Sequence, residues 1–170
     1  MTAARIRVAQ GDITRETVDA IVNAANRALK AGGGVDGAIH RAAGPALQRE
    51  LDRIGGCPTG EARLTAGHDL PARHIIHCVG PVWQGGGQDE DRLLESCYRA
   101  AFTLARTHAI RSLAFPAIST GIYGFPKDRA ARIAVMAVTE ELAVGGAVEL
   151  VRFVCFDAET AAIYRALCGD

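Results

Sequence analysis

The chain has 170 residues, about the length of one domain able to bury its own core. With 49% hydrophobic and 22% charged residues, the composition excludes long disorder, a collagen-like chain and a coiled coil. The 19 basic and 19 acidic side chains cancel, removing the global positive field that gathers nucleic acid, and no stretch approaches the ~18 consecutive apolar residues of a membrane span.

In chain order, residues 5–9, 20–23, 62–65, 74–79, 112–117 and 148–156 read as strands, short and rich in apolar residues. Between them, residues 37–43, 45–54, 91–108, 128–144 and 158–167 carry helical spacing. The alternation predicts an α/β fold, one sheet of about six strands with helices on both faces. In residues 91–108, Leu94, Cys97, Tyr98, Ala101 and Leu104 or Ala105 form one apolar face, leaving Arg92, Glu95, Arg99 and Arg106 to solvent. The near-continuous apolar run from Val148 to Phe156 predicts a strand covered on both sides. Gly85-Gly86-Gly87 reads as a flexible surface turn.

Cys57, Cys78, Cys97, Cys155 and Cys168 are odd in number, contain no Cys-x-x-Cys pair and lie mostly in apolar stretches, so buried thiols in a reducing cytoplasm are expected. Residues Met1 to Gln10 carry neither the apolar core nor the cleavage pattern of an export signal.

Three loops at predicted strand ends carry candidate chemistry. Asn23-Ala24-Ala25-Asn26 places two carboxamides after an apolar strand core, where amides either read hydroxyl groups or stabilise a turn. Gly32-Gly33-Gly34-Val35-Asp36-Gly37 lets the backbone approach a ligand just before a helix N-terminus; Asp36 there is either a helix cap or a catalytic carboxylate. Gly32, Gly34 and Gly37 also satisfy G-x-G-x-x-G, but eight residues separate Asn23 from Gly32, too many for the tight dinucleotide-binding turn. Ser119-Thr120-Gly121-Ile122-Tyr123-Gly124-Phe125-Pro126 lacks the Gly-Lys-Ser/Thr ending of a Walker A loop, yet its N–H groups can form an anion nest. Two such loops can clasp a diphosphate with neutral backbone donors. Asp12, after the first strand, either caps the next turn or accepts from a base amino group.

His74 and His77 are separated by two residues on one strand, so they point to opposite faces, share no metal and read as structural. Cys57, beside Gly56 and Pro58, is the candidate for an exposed thiol, but no neighbouring sequence forms a Cys-His nucleophile system with it.

Gly11-Asp12-Ile13-Thr14, Asn23-Ala24-Ala25-Asn26, the run from Gly32 to Gly44 and Ser119 to Pro126, in this order, resemble the macrodomain family, specifically its MacroD-type hydrolases. The resemblance implies a three-layer α/β/α fold, a mixed six-stranded sheet, one domain over residues 1–170 and a cleft for ADP-ribose. It implies that Asp12 binds the adenine amino group, Ile13 adds a backbone contact and Phe156 packs on the base. Gly33, Gly34 and Val35 would face Ser119, Thr120, Gly121, Ile122, Tyr123 and Gly124 across the diphosphate, with Phe125 against the distal ribose. Asn26 would position that ribose and Asp36 the attacking water, while Asn23 supports the loop and His40 stays outside the catalytic set. Ala31 replaces a glycine frequent in related loops.

The implied activity is hydrolysis of ADP-ribose ester-linked to Asp or Glu of proteins, and of O-acetyl-ADP-ribose, by water without metal or cofactor. A cytoplasmic monomer that binds neither membrane nor nucleic acid in general is expected. The rival reading is a module that recognises ADP-ribose without cleaving it; a nicotinamide-dependent oxidoreductase, resting on the glycine fingerprint, is the weaker one.

Overall fold

The computed structural model describes residues 5–169; Met1 to Ala4 of the leading segment, and Asp170, lie outside the described residues. Six strands, β1 (Ile6–Gln10), β2 (Ala20–Ala25), β3 (Ala62–Ala66), β4 (His74–Val79), β5 (Ser112–Phe115) and β6 (Leu150–Cys155), form one sheet ordered β1-β6-β5-β2-β4-β3. All neighbours are parallel except β3, which pairs antiparallel with β4 at the edge. The sheet is therefore mixed, as expected, and every parallel strand ends at the same edge.

Five helices cover it: α1 (Gly34–Ala43), α2 (Ala46–Ile54), α3 (Glu90–Thr107), α4 (Lys127–Val144) and α5 (Ala158–Cys168). Strand alternation sorts the core into two layers. Ala20, Val22, Ile76, Cys78, Phe115 and Phe153 face α3, α4 and α5, while Ile21, Ala25, Ile75, Val79 and Val154 face α1 and α2. This is the three-layer α/β/α arrangement.

The predicted face of α3 is buried at Leu94, Cys97, Tyr98, Ala101 and Ala105, with Phe102 joining them. Its charged side is less open than expected. Arg99 pairs with Glu95 at 2.8 Å and, on α4, with Glu140 at 2.7 Å and Glu141 at 3.1 Å, while Arg106 reaches Glu141 at 2.8 Å. Small buried residues of α4, Ala130, Ala131, Ala134 and Ala137, let that helix come close to its neighbours.

Three local expectations change. α1 begins at Gly34 rather than Gly37, because Gly33 in extended conformation caps it and Gly37 N–H already donates to Gly33 O at 3.2 Å. β6 ends at Cys155, so Phe156 lies beyond the covered strand and is 89% exposed. The Gly85–Gly87 turn is anchored: the buried Glu90 carboxylate accepts from Gln84 N–H (2.8 Å), Gly86 N–H (3.1 Å) and Gln88 N–H (2.6 Å). Cys57, Cys78, Cys97 and Cys155 are buried free thiols. No helix among the described residues is long and apolar enough to cross a membrane.

Candidate functional site

In an open sheet with parallel strands, ligands sit beyond the carboxyl ends, where successive loops converge. Here those loops are the ones that carry the sequence motifs.

Asn26 follows β2 directly. Its Oδ1 accepts Lys30 N–H at 3.1 Å and its Nδ2 donates to Lys30 O at 2.8 Å, so this amide closes the turn that leads into the glycine run. Gln48 of α2 clamps the same turn, accepting from Ala31 N–H at 3.0 Å and donating to Leu29 O at 2.9 Å. Gln48 carried no sequence signal, because its partners lie 17 and 19 residues away.

Asp36 stands in the first turn of α1, where an acidic side chain suits the positive end of the helix dipole. It is only 6% exposed. Its Oδ2 accepts Gly32 N–H at 2.7 Å and its Oδ1 accepts Asn23 Nδ2 at 2.7 Å. His40, one turn later, brings Nε2 to 3.4 Å from Oδ1. The capping role weighed for Asp36 is not what its side chain does: α1 has no side-chain cap, and the carboxylate instead holds Gly32, the residue before the N-cap. Gly37 makes the close approach possible: a Cβ there would lie 2.5 Å from Gly32 O. Asn26 and Asp36 meet at Gly32, whose Cβ position is 3.5 Å from Asn26 Nδ2 and 3.2 Å from Asp36 Oδ2.

The loop after β5 is held largely by its own backbone. Phe125 N–H donates to Ser119 O at 2.9 Å and Gly124 N–H to Gly121 O at 3.0 Å, so these two N–H groups are spent inside the loop. Thr120 Oγ1 donates to Ala117 O at 3.0 Å, and Trp83 N–H to Tyr123 O at 2.8 Å. Ser119 is buried at a positive φ of 68°, an uncommon conformation for a residue with a side chain. Gly80, after β4, makes room for it: a Cβ on Gly80 would overlap Ser119 Oγ and stand 2.7 Å from Ile118 Cγ2. Ile122 is 89% exposed, and its Cδ1 is 3.8 Å from the Cβ position of Gly33. The two loops therefore face each other. The Phe125 ring is 1% exposed, packed beneath the loop 4.8 Å from Trp83.

Farther along the same sheet edge, Gly11 N–H donates to Cys155 O at 3.0 Å, carrying the β1–β6 pairing past Gln10, so that Asp12 and Phe156 leave neighbouring strands. Asp12 Oδ1 accepts from Thr14 Oγ1 at 2.7 Å and Thr14 N–H at 2.9 Å; these bonds, the hydroxyl's foremost, hold its carboxyl below the ordinary range. Ile13 is buried. Gly34, Val35 and Gly121 sit at the rims of the two facing loops, Gly34 and Gly121 exposed and Val35 half-buried. Among the described residues, no group of three or more His, Cys, Asp or Glu side chains is arranged to hold a metal ion.

The Macro domain family pattern matches residues 22–134, from within β2 into α4, and so includes both facing loops. The chain belongs to the macro domain family. A macro domain-containing protein of Methanosarcina mazei is 60% identical over 156 residues, covering 92% of this chain and 83% of that protein. The O-acetyl-ADP-ribose deacetylase of Escherichia coli is 53% identical over 167 residues, covering 96% of this chain and 94% of that enzyme. Among solved structures, a Trypanosoma brucei macrodomain in complex with ADP-ribose superposes with a TM-score of 0.91 at 44% identity, covering 96% of this chain and 68% of that one. Asp12 and Phe156 of this macro domain fall outside the residues the family pattern matches.

Proposed function

We propose that this macro domain binds ADP-ribose in the cleft between the two loops and hydrolyses its esters: O-acetyl-ADP-ribose, and ADP-ribose linked to Asp or Glu of proteins. The observation that carries the reading is the convergence of Asn26 and Asp36 on Gly32, beside the gap where Gly33 faces Ile122. The similarity to a deacetylase along nearly its whole length supports the acetyl ester as a substrate. In this reading, loop N–H groups and the N-terminus of α1 take the diphosphate. Asp12 and Phe156 take the base, and Asn26 sets the distal ribose.

Hydrolysis adds water across the ester, releasing ADP-ribose and the carboxylic acid. A carboxylate offers about four acceptor sites. Asp36 uses one on Gly32 N–H and one on Asn23 Nδ2, and a further one orients the attacking water. Water, carboxylate and substrate phosphate suffice for this step, so neither metal nor cofactor enters the proposed reaction.

One observation favours a second reading, recognition without cleavage: both Asp36 oxygens already hold the fold together, a task that needs no chemistry. Turnover separates the two. With O-acetyl-ADP-ribose in large excess over protein and a chelator present, repeated release of ADP-ribose is expected. Binding of ADP-ribose by calorimetry with no release establishes the recognition module instead, and turnover that appears only after metal is restored removes the metal-free step. The same assay on protein ADP-ribosylated at Glu tests the second substrate class.

A further inference from the structure

Asn23 and His77 are polar side chains in the middle of an apolar layer. Both are fully buried, on neighbouring strands at paired positions, among Ile21, Ala25, Ile75 and Val79 beneath α1. Buried polar groups in such a place persist where each is tied to a partner. The ties form a line. Asn23 Nδ2 stands 2.7 Å from Asp36 Oδ1 and 3.1 Å from His77 Nδ1; His77 Nε2 stands 2.9 Å from Thr65 Oγ1, and Thr65 Oγ1 donates to Ala66 O at 3.1 Å.

The chemistry of each atom fixes the direction of the line. A carboxylate only accepts, so the Asn23 atom facing Asp36 is the amide nitrogen. That nitrogen gives its second proton to His77 Nδ1, which must then be the bare nitrogen of a neutral imidazole. Nε2 carries the ring proton and gives it to Thr65 Oγ1, whose own proton is committed to Ala66 O. Burial pushes the His77 pKa down to about 3, and the ring stays neutral. The arrangement leaves Asn23 Oδ1 buried with no hydrogen-bond partner among the described residues.

We propose that His77 is a positioning residue: from β4, one strand in from the edge of the sheet, it fixes the carboxylate of Asp36 through Asn23 and with it the Gly32 end of the cleft loop. The proposal rests on the hydrolase reading for its effect on turnover, whereas its structural content stands apart from that reading. With Leu at 77, the second Asn23 proton has no acceptor, the amide is free to turn, and Asp36 loses its alignment. Asn at 77 restores an acceptor oxygen close to the position of Nδ1.

The test uses the whole chain, with His77→Leu, His77→Asn and the milder Thr65→Val. In ¹⁵N spectra of the wild-type protein, His77 is expected to show a bare Nδ1 and a protonated Nε2 at neutral pH; a protonated Nδ1 overturns the proposal. The Gly32 amide proton, which Asp36 accepts, reports the alignment without any need for activity. Its resonance is expected to move in His77→Leu and to return toward the wild-type position in His77→Asn.

For O-acetyl-ADP-ribose, His77→Leu is expected to lose about tenfold or more in kcat with KM and ADP-ribose affinity little changed, and His77→Asn to recover most of it. A folded His77→Leu with wild-type kcat and an unmoved Gly32 resonance overturns the proposal, as does His77→Asn behaving no better than His77→Leu. Should His77→Leu fail to fold, Thr65→Val carries the same comparison. If the wild-type protein turns over no ester, the hydrolase reading falls, and the nitrogen and Gly32 resonances still decide the relay.

Discussion

Gly33 and Ile122 face each other across the cleft, with 3.8 Å between the Cβ position of the glycine and Cδ1 of the isoleucine. One wall is backbone without a side chain, and the other is an apolar side chain 89% exposed to solvent. A large aliphatic group that rests on nothing in the folded chain contributes little to stability and is available to a ligand. Ile122→Ala is therefore expected to leave the melting temperature unchanged and to weaken ADP-ribose binding about tenfold, on the transfer energy of the methylenes a ligand would cover. Calorimetric titration beside a thermal melt checks both halves.

Asp36 meets hydrogen-bond donors at both oxygens, Gly32 N–H and Asn23 Nδ2. Asn in its place keeps the shape but presents an NH₂ group to one of those donors. Asp36→Asn is thus expected to cost about 1–3 kcal/mol of stability, as an unsatisfied buried pair does, together with most of the turnover. Denaturant unfolding and initial rates on O-acetyl-ADP-ribose measure the two effects. A variant as stable as wild type contradicts the positioning role of the carboxylate.

Gly80 accommodates Ser119, and no other residue type fits: a Cβ would overlap Ser119 Oγ and press Ile118 at 2.7 Å. Gly80→Ala must displace the loop after β5. Its ADP-ribose affinity is expected to fall by more than about tenfold, since a small misplacement of a binding loop is costly. Gly87→Ala meets nothing within 4 Å and serves as the control expected to bind as wild type.

The pH dependence of stability follows from two buried groups. The His77 pKa is about 3 in the fold against 6.5 when free, so between those values the unfolded chain holds a proton the folded chain refuses. Above pH 6.5 the ring is neutral in both states and the pH has no effect through it; as the pH falls from 6.5 toward 3 the fold progressively loses stability. Glu90 acts lower on the scale. Burial pushes its carboxyl up, but the N–H groups of Gln84, Glu90, Gln88 and Gly86 outweigh that and hold it at about 2 against 4.5, so its contribution is lost below pH 4.5. Between pH 6.5 and 4.5, His77 is the one of the two that titrates. Urea midpoints across that window should slope less steeply in His77→Asn than in wild type, while Glu90→Gln should keep the wild-type slope there.

The alternation of strands and helices, the apolar face of α3 and the order of the loop motifs were legible in the sequence. Each depends on residue spacing along a short stretch, which backbone geometry converts directly into a face or a turn. The family resemblance rests on the same kind of information, motifs in order, and the matched stretch from residue 22 to 134 agrees with it. His77 was readable as structural for that reason; its burial and what it touches were not.

Tertiary structure alone decided the partners. The bond from Asn23 to Asp36 spans 13 residues and the contact from Asn23 to His77 spans 54, and both exist because the parallel register of β2 and β4 places Asn23 opposite His77 beneath α1. The early start of α1, which moves Asp36 from the loop into the helix, depends on Gly37 admitting the Gly32 carbonyl. The burial of Phe125 depends on Trp83, and the firm turn over Gly86 on a carboxylate held beneath it. Spacing along a chain fixes which face a side chain takes; only register and packing between segments fix what it meets there.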